Sequence, residues 1–158
     1  MGSGNTRSSA LNLLQTEFRV QTVRTITFHT AVAARLGITP ADLSCLNVLS
    51  LEGPHTPGEL ADRIGITRGG AVTAMIDRLE DAGYVHRRRD TADRRRVLVE
   101  LDATRAAELV SPLFQGMGAA VAARLSKYDD ADLRLLRDML ADVNEAAAEA
   151  TGALRDSR

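Results

Sequence analysis

The chain has no tryptophan, a single cysteine and an aromatic content of only 3 %. One thiol, Cys45, excludes an internal disulfide framework and any multi-cysteine metal site. It sits among Leu43, Leu46 and Leu49 and reads as a small core residue rather than a redox sensor. His29, His55 and His86 lack metal-ligand spacing and read as surface or packing residues. No apolar run approaches the roughly eighteen residues that a membrane-spanning helix needs, and no charged-then-apolar leader precedes a cleavage site. The protein is therefore expected to stay in the cytoplasm. No nucleophile–base pair, phosphate loop or metal cluster stands out, so neither an enzyme nor a cofactor is expected.

What is present is an ordinary globular composition, 158 residues with 44 % hydrophobic and 26 % charged, enough for one domain with extensions. The formal net charge of −1 hides an uneven distribution. From Arg63 to Arg96 there are nine arginines against five acids, a net of +4, while the remainder holds eleven basic residues against sixteen acids, a net of −5. A basic segment on an acidic carrier points to a polyanion-binding module. Its densest stretch is "RRRDTADRRR", Arg87 to Arg96, where two aspartates interrupt six arginines.

Residues 1–7 are expected to be a disordered tail or tag scar. From Ser8 to Leu36 neither proline nor glycine intervenes, and Leu11, Leu14 and Phe18 share one helical face. "TPADLSCLNVLSLEG" opens a second helix with Thr39 as N-cap, Pro40 at the first helical position and Asp42 in the first turn. "TPGELADRIG" repeats the grammar with a Thr56–Glu59 capping box and turns Leu60, Ala61 and Ile64 inward. In "ITRGGAVTAMIDRLEDAGYV", Thr67 is the expected N-cap, Val72, Met75, Ile76 and Leu79 make one apolar face, and Gly83 stops the helix. Two short helices joined at Gly65-Ile66 read as a helix-turn-helix.

After Gly83 the period changes from helical to alternating. Tyr84 and Val85 in "YVHRRR", and Val97, Val99 and Leu101 in "RRVLVEL", predict two strands facing a core, with "DTAD" as their turn. A helix-turn-helix followed by such a hairpin is a winged helix. From Ala103 the sequence is helical again, with a kink expected near Pro112. A last helix opens at Asp129 and carries Leu133, Leu136, Leu140 and Val143 along a narrow seam, suited to another helix inside or outside the monomer. Residues 152–158 are expected to fray. The expected fold is mainly α with a small β-hairpin, a winged helix-turn-helix over 39–102 flanked by helices over 8–38 and 103–151.

"TRGGAVTAMIDRLEDAGYVHRRRDTADRRRVLVEL" resembles the recognition helix, wing and acid-x-arginine signature of the MarR family of bacterial transcription regulators, and the helix order extends the resemblance over roughly residues 11–149. One departure is "LDATRA" after the second strand, where the family usually has Leu-Thr and a later glycine. The resemblance implies a homodimer held by the terminal helices, through Leu11, Leu14, Phe18, Leu133, Leu136, Leu140 and Val143. Such a dimer binds a pseudo-palindromic operator as a sequence-specific regulator, in the first instance a repressor, releasable by a small phenolic or aromatic effector. The other reading is a winged helix used for protein interaction or sequence-neutral DNA architecture.

If Val72, Ile76 and Leu79 point inward, Gly70, Thr73, Ala74 and Asp77 point outward, and their small side chains allow close approach to a major groove. Thr67, Arg68, Gly70, Thr73 and Arg78 are then the expected contacts of this helix, the alternative for Arg78 being a solvated charge. In the wing, Arg95 is expected in the minor groove with its guanidinium held by Asp93. Arg87, Arg88, Arg89, Arg94 and Arg96 would serve phosphates, although strand alternation prevents all of them from facing DNA at once.

Overall fold

A computed structural model describes residues 3–157; Met1, Gly2 and Arg158 lie outside the described residues. Helix α1 runs Ser3–Leu36, α2 Pro40–Glu52, α3 Pro57–Ile64 and α4 Gly70–Asp81; strands β1 Val85–Arg89 and β2 Val97–Leu101 follow. A short α5, Ala103–Arg105, passes through a π-helical stretch, Ala106–Val110, into α6, Ser111–Leu125, and α7 covers Asp130–Asp156. The fold is thus mainly α with one small hairpin, as expected. The chain divides into two compact units, residues 1–113 and 114–158.

Local chemistry explains most boundaries of the first unit. Thr39 accepts the Asp42 N–H at 3.1 Å while Asp42 accepts the Thr39 N–H at 2.9 Å. Thr56 and Glu59 repeat this reciprocal cap on α3 at 3.3 and 2.7 Å. Each satisfies two N–H groups that a helix start leaves unpaired. At the far end of α4, Gly83 adopts a positive φ of 76°, and the N–H groups of Gly83 and Tyr84 return to Glu80 and Leu79 at 2.9 Å. This closure turns the chain out of the helix and straight into β1.

The core lies between α2, α3, α4 and the base of the hairpin. Leu60, Ile76 and Val99 are fully buried, with Leu46, Leu49, Met75, Leu79 and Val85 around them. Truncating Ile76 to Ala there costs about 2–5 kcal/mol. The hairpin is antiparallel, pairing Val85 with Leu101, Arg87 with Val99 and Arg89 with Val97. His55 adds a bridge on its edge, exchanging backbone hydrogen bonds with Val99 at 3.2 and 2.8 Å.

Three expectations about these elements need correction. Helix α1 begins at Ser3, inside the expected tail, and α7 continues to Asp156 through the expected frayed end. Extending an established helix gains one hydrogen bond per residue fixed, and "NEAAAEA" in α7 is made of strong helix formers. Val97 is 39 % exposed, whereas Leu98 and Val99 are both buried. The register explains part of it, since Val97 opposite Arg89 lies at the tip end of the ladder, farther from the core than Leu98 and Val99. Near Pro112 the ladder widens into the π-helical stretch just before the proline, where Ser111 returns its N–H to Ala106. Pro112 has no N–H to give the Glu108 carbonyl four residues back.

The second unit contains no buried residue among those described, and Leu133 and Leu140 of α7 are 37 % and 43 % exposed. Asp129 caps α7, accepting from Ala131 and Asp132 at 2.8 and 2.9 Å. Helices of this kind gain stability chiefly by burying an apolar face, and in this unit that face is open.

Candidate nucleic-acid interface

Helix α4 starts two residues later than the sequence suggests. Gly69, with φ 96° and ψ −131°, is its N-cap, a conformation open to glycine and strained for other residues, and Thr67 lies outside in the connecting turn. No side chain caps this end. The N–H groups of Gly70, Ala71 and Val72 therefore face outward with the positive end of the helix dipole behind them, while Thr73 begins the internal ladder by donating to Gly69. Val72, Met75, Ile76 and Leu79 are buried, which leaves Gly70, Thr73, Ala74 and Asp77 exposed on one small-residue face.

The arginines around this face divide by what holds them. Arg68 forks onto Asp62 of α3, its Nε at 3.0 Å. Arg78 donates to Asp42 at 2.7 Å and to the Ala74 carbonyl at 3.2 Å. Arg87 ties the wing to α4: its backbone N–H donates to Glu80 at 2.9 Å, and its guanidinium reaches both Glu80 and, at 2.5 Å, Asp77. Burial opposes the charge on Arg87, but hydrogen bonds to Asp77 and Glu80 outweigh it and hold the guanidinium above its ordinary pKa. Arg88 pairs across the hairpin with Glu100, and Arg96 crosses to Glu59 of α3 at 2.9 Å. Four of these acids, Asp42, Glu59, Asp62 and Glu100, come from outside the basic segment and neutralise part of its charge.

At the tip the arrangement differs. Asp93 accepts the Arg95 backbone N–H at 3.0 Å and its carbonyl accepts the Arg96 N–H at 2.9 Å, so Asp93 opens a tight turn over residues 93–96. Asp90 does similar work, accepting from the Ala92 N–H at 2.9 Å. Arg95 projects into solvent with 93 % of its side chain exposed, its Nε 3.4 Å from Asp93. Arg94 is exposed beside it, and Arg89 donates to the Arg94 carbonyl at 3.0 Å, bracing the turn from below. The basic surface is thus concentrated at Arg94 and Arg95, displayed on a turn that aspartates hold.

A family model described as "MarR family" matches residues 38–97, the span that carries this helix and wing. Over 152 residues the chain is 36 % identical to an HTH-type transcriptional regulator, YcgE of Bacillus subtilis strain 168, covering 94 % of this chain and 97 % of that protein. The chain belongs to the MarR family. As a MarR-family protein it is a DNA-binding transcriptional regulator. Its fold matches a MarR family protein from Bacillus stearothermophilus with a TM-score of 0.67 at 20 % identity, over 89 % of this chain and 97 % of that one. It also matches NadR, solved in complex with 4-hydroxyphenylacetate, with a TM-score of 0.59 at 25 % identity, over 78 % and 87 % of the two chains.

Sequence reasoning found the MarR-type helix and wing but missed the acids that occupy its arginines. Glu59, Asp62, Glu80 and Glu100 stand 6 to 37 residues from their partners. No helical or strand period links such positions. His55 was equally hidden, because its part in the sheet edge is made by its backbone.

Proposed function

We propose that the protein acts as a homodimeric repressor that reads a pseudo-palindromic operator. Helix α4 enters the major groove with Gly70, Thr73 and Ala74 against base edges, and its uncapped N-terminus meets a phosphate. Arg95 enters the adjacent minor groove, and Arg94 and Arg89 reach the phosphates on either side. The observation that carries this reading is the pairing of a small, exposed, uncapped recognition-helix face with a turn-held arginine tip. Arg68, Arg87, Arg88 and Arg96, already bonded within the protein, shape the reading surface and contribute charge at its margin. Repression follows from occupancy, because a protein filling both grooves excludes another from the same duplex.

The dimer is supported by exposed apolar surface on the terminal helices. Leu11 and Leu14 of α1 are 49 % and 43 % exposed, and the Leu133–Val143 seam of α7 covers no core. Helix α1 also carries Leu13, Val20, Val23 and Ile26 exposed. Two copies place their recognition helices about one DNA turn, roughly 10 bp, apart. Similarity to NadR supports release by a small phenolic or aromatic acid. No helix among the described residues is long and apolar enough to cross a membrane, which fits a regulator working in the cytoplasm. In vitro selection from a random duplex pool tests the reading. A two-fold symmetric sequence is the expected product, and recovery of no sequence preference would favour a protein-interaction or architectural role.

A further inference from the structure

Asp42 is the one charged side chain buried among the described residues, with 2 % of its surface exposed. A carboxylate that deep needs partners for both oxygens. Oδ2 accepts the Thr39 N–H at 2.9 Å and so completes the cap of α2. Oδ1 accepts at 2.7 Å from Nη2 of Arg78, 36 residues along the chain and in the last turn of α4. Capping does not require this second partner or this burial: Glu59 closes the corresponding box on α3 with its side chain 41 % exposed. The extra bond joins the turn that leaves α1 to the C-terminal end of the recognition helix.

Apolar packing is interrupted at the same place. A surface cavity of about 460 Å³ is lined by Gly37, Ile38 and Thr39 from the α1–α2 turn and by Leu79, Asp81 and Ala82 from the end of α4, and both members of the ion pair line it too. Side chains that do not meet across a cavity cannot fix its width. The ion pair can, and the Ala74 carbonyl holds the other guanidinium nitrogen of Arg78 at 3.2 Å, so the donor is anchored on α4 itself.

We propose that Asp42 is a positioning residue for the recognition helix, setting its orientation against the α1–α2 turn through Arg78, and that Arg78 works inside the protein instead of on DNA. This rests on the reading of α4 as the helix that enters the major groove. A misplaced α4 loses base contacts but keeps the phosphate charges, so specific binding suffers and general binding does not.

The test is equilibrium binding of the full chain to a selected operator and to random duplex across a salt series, for wild type, Asp42→Asn, Arg78→Met, Arg78→Lys and the Asp42→Asn/Arg78→Met double variant. The single variants Asp42→Asn and Arg78→Met are expected to weaken operator binding on the order of tenfold with random-duplex affinity and salt slope unchanged, and the double variant to lose no more than either. Arg78→Lys, which can still reach Asp42, is expected to recover part of the loss. If Arg78 touches a phosphate instead, Arg78→Met weakens both duplexes and lowers the salt slope by about one, while Asp42→Asn tightens binding by releasing the guanidinium; that pattern overturns the proposal. Unchanged operator binding in Arg78→Met overturns it as well. Should Asp42→Asn fail to fold, the two Arg78 variants, which leave the α2 cap intact, decide by the same outcomes. A wild type that does not distinguish operator from random duplex overturns the reading of α4 before any variant is compared.

Discussion

Asp93 holds the backbone of Arg95 more closely than its guanidinium: Oδ1 lies 3.0 Å from the Arg95 amide nitrogen and 3.4 Å from Nε. The aspartate therefore shapes the turn, and the Arg95 side chain stays exposed to solvent with one long contact to it. Arg95→Ala should cost about 1–3 kcal/mol of operator affinity and lower the salt slope by about one, with no change in melting temperature. Asp93→Asn retains an acceptor for the amide and should bind nearly as wild type, whereas Asp93→Ala should lose measurable affinity. Equal binding by Asn and Ala variants would remove the turn from the account.

Arg87 tests the division between arginines that brace and arginines that contact. Its removal unfastens β1 from α4 at Asp77 and Glu80. Arg87→Met is expected to weaken operator binding while leaving the salt slope as in wild type, and to lower stability by about 1 kcal/mol in thermal or denaturant unfolding. A slope reduced to the Arg95→Ala value would place Arg87 on a phosphate.

Cys45 is buried, and burial first, with Asp42 nearby second, pushes its thiol up to about 12. The reactive species is the thiolate, so at neutral pH the native protein should resist thiol reagents and mild peroxide and should keep its DNA affinity after treatment. Labelling at the rate of a free thiol in the folded state would contradict this.

Glu52 and Glu59 are held below the ordinary glutamate value of 4.5, Glu52 first by its hydrogen bond from Arg63 and Glu59 first by the Thr56 backbone N–H. A carboxyl whose folded pKa is depressed binds protons less readily folded than unfolded. Its contribution is present in full above 4.5 and is lost as pH falls through the lower folded value. Melting temperature should therefore drop below pH 4.5, and the Glu52→Gln/Glu59→Gln variant should show a shallower drop over the same range.

The apolar seam of α7 gives the assembly its own test. Leu133→Asp with Leu140→Asp places two charges on the proposed interface. Light scattering should report a monomer for this variant and a dimer for the wild type, with cooperative operator binding lost. A dimeric double variant would move the interface elsewhere.

Much of this was legible in the sequence because the signals were local. Thr39 with Asp42 and Thr56 with Glu59 sit three residues apart, and Gly83 stops α4 where the apolar period ends. Thr67 misled because hydroxyl chemistry at a helix start was weighed against a glycine pair, and Gly69, with its positive φ, offered the sharper turn. The arginine pairs of the wing were invisible for another reason. Charge counting along the chain finds a basic cluster but not the acids that folding brings to it, as Glu59 shows by meeting Arg96 37 residues away. That pairing leaves Arg87, Arg88 and Arg96 as braces and Arg94 and Arg95 as an exposed tip.

Dimeric, sequence-specific DNA reading is tested most directly by the affinity of the wild-type protein for a selected palindrome against random duplex of equal length at one salt concentration. It predicts tighter binding to the palindrome by about a thousandfold or more, with two protomers bound per site. Equal affinity for the two duplexes would contradict it.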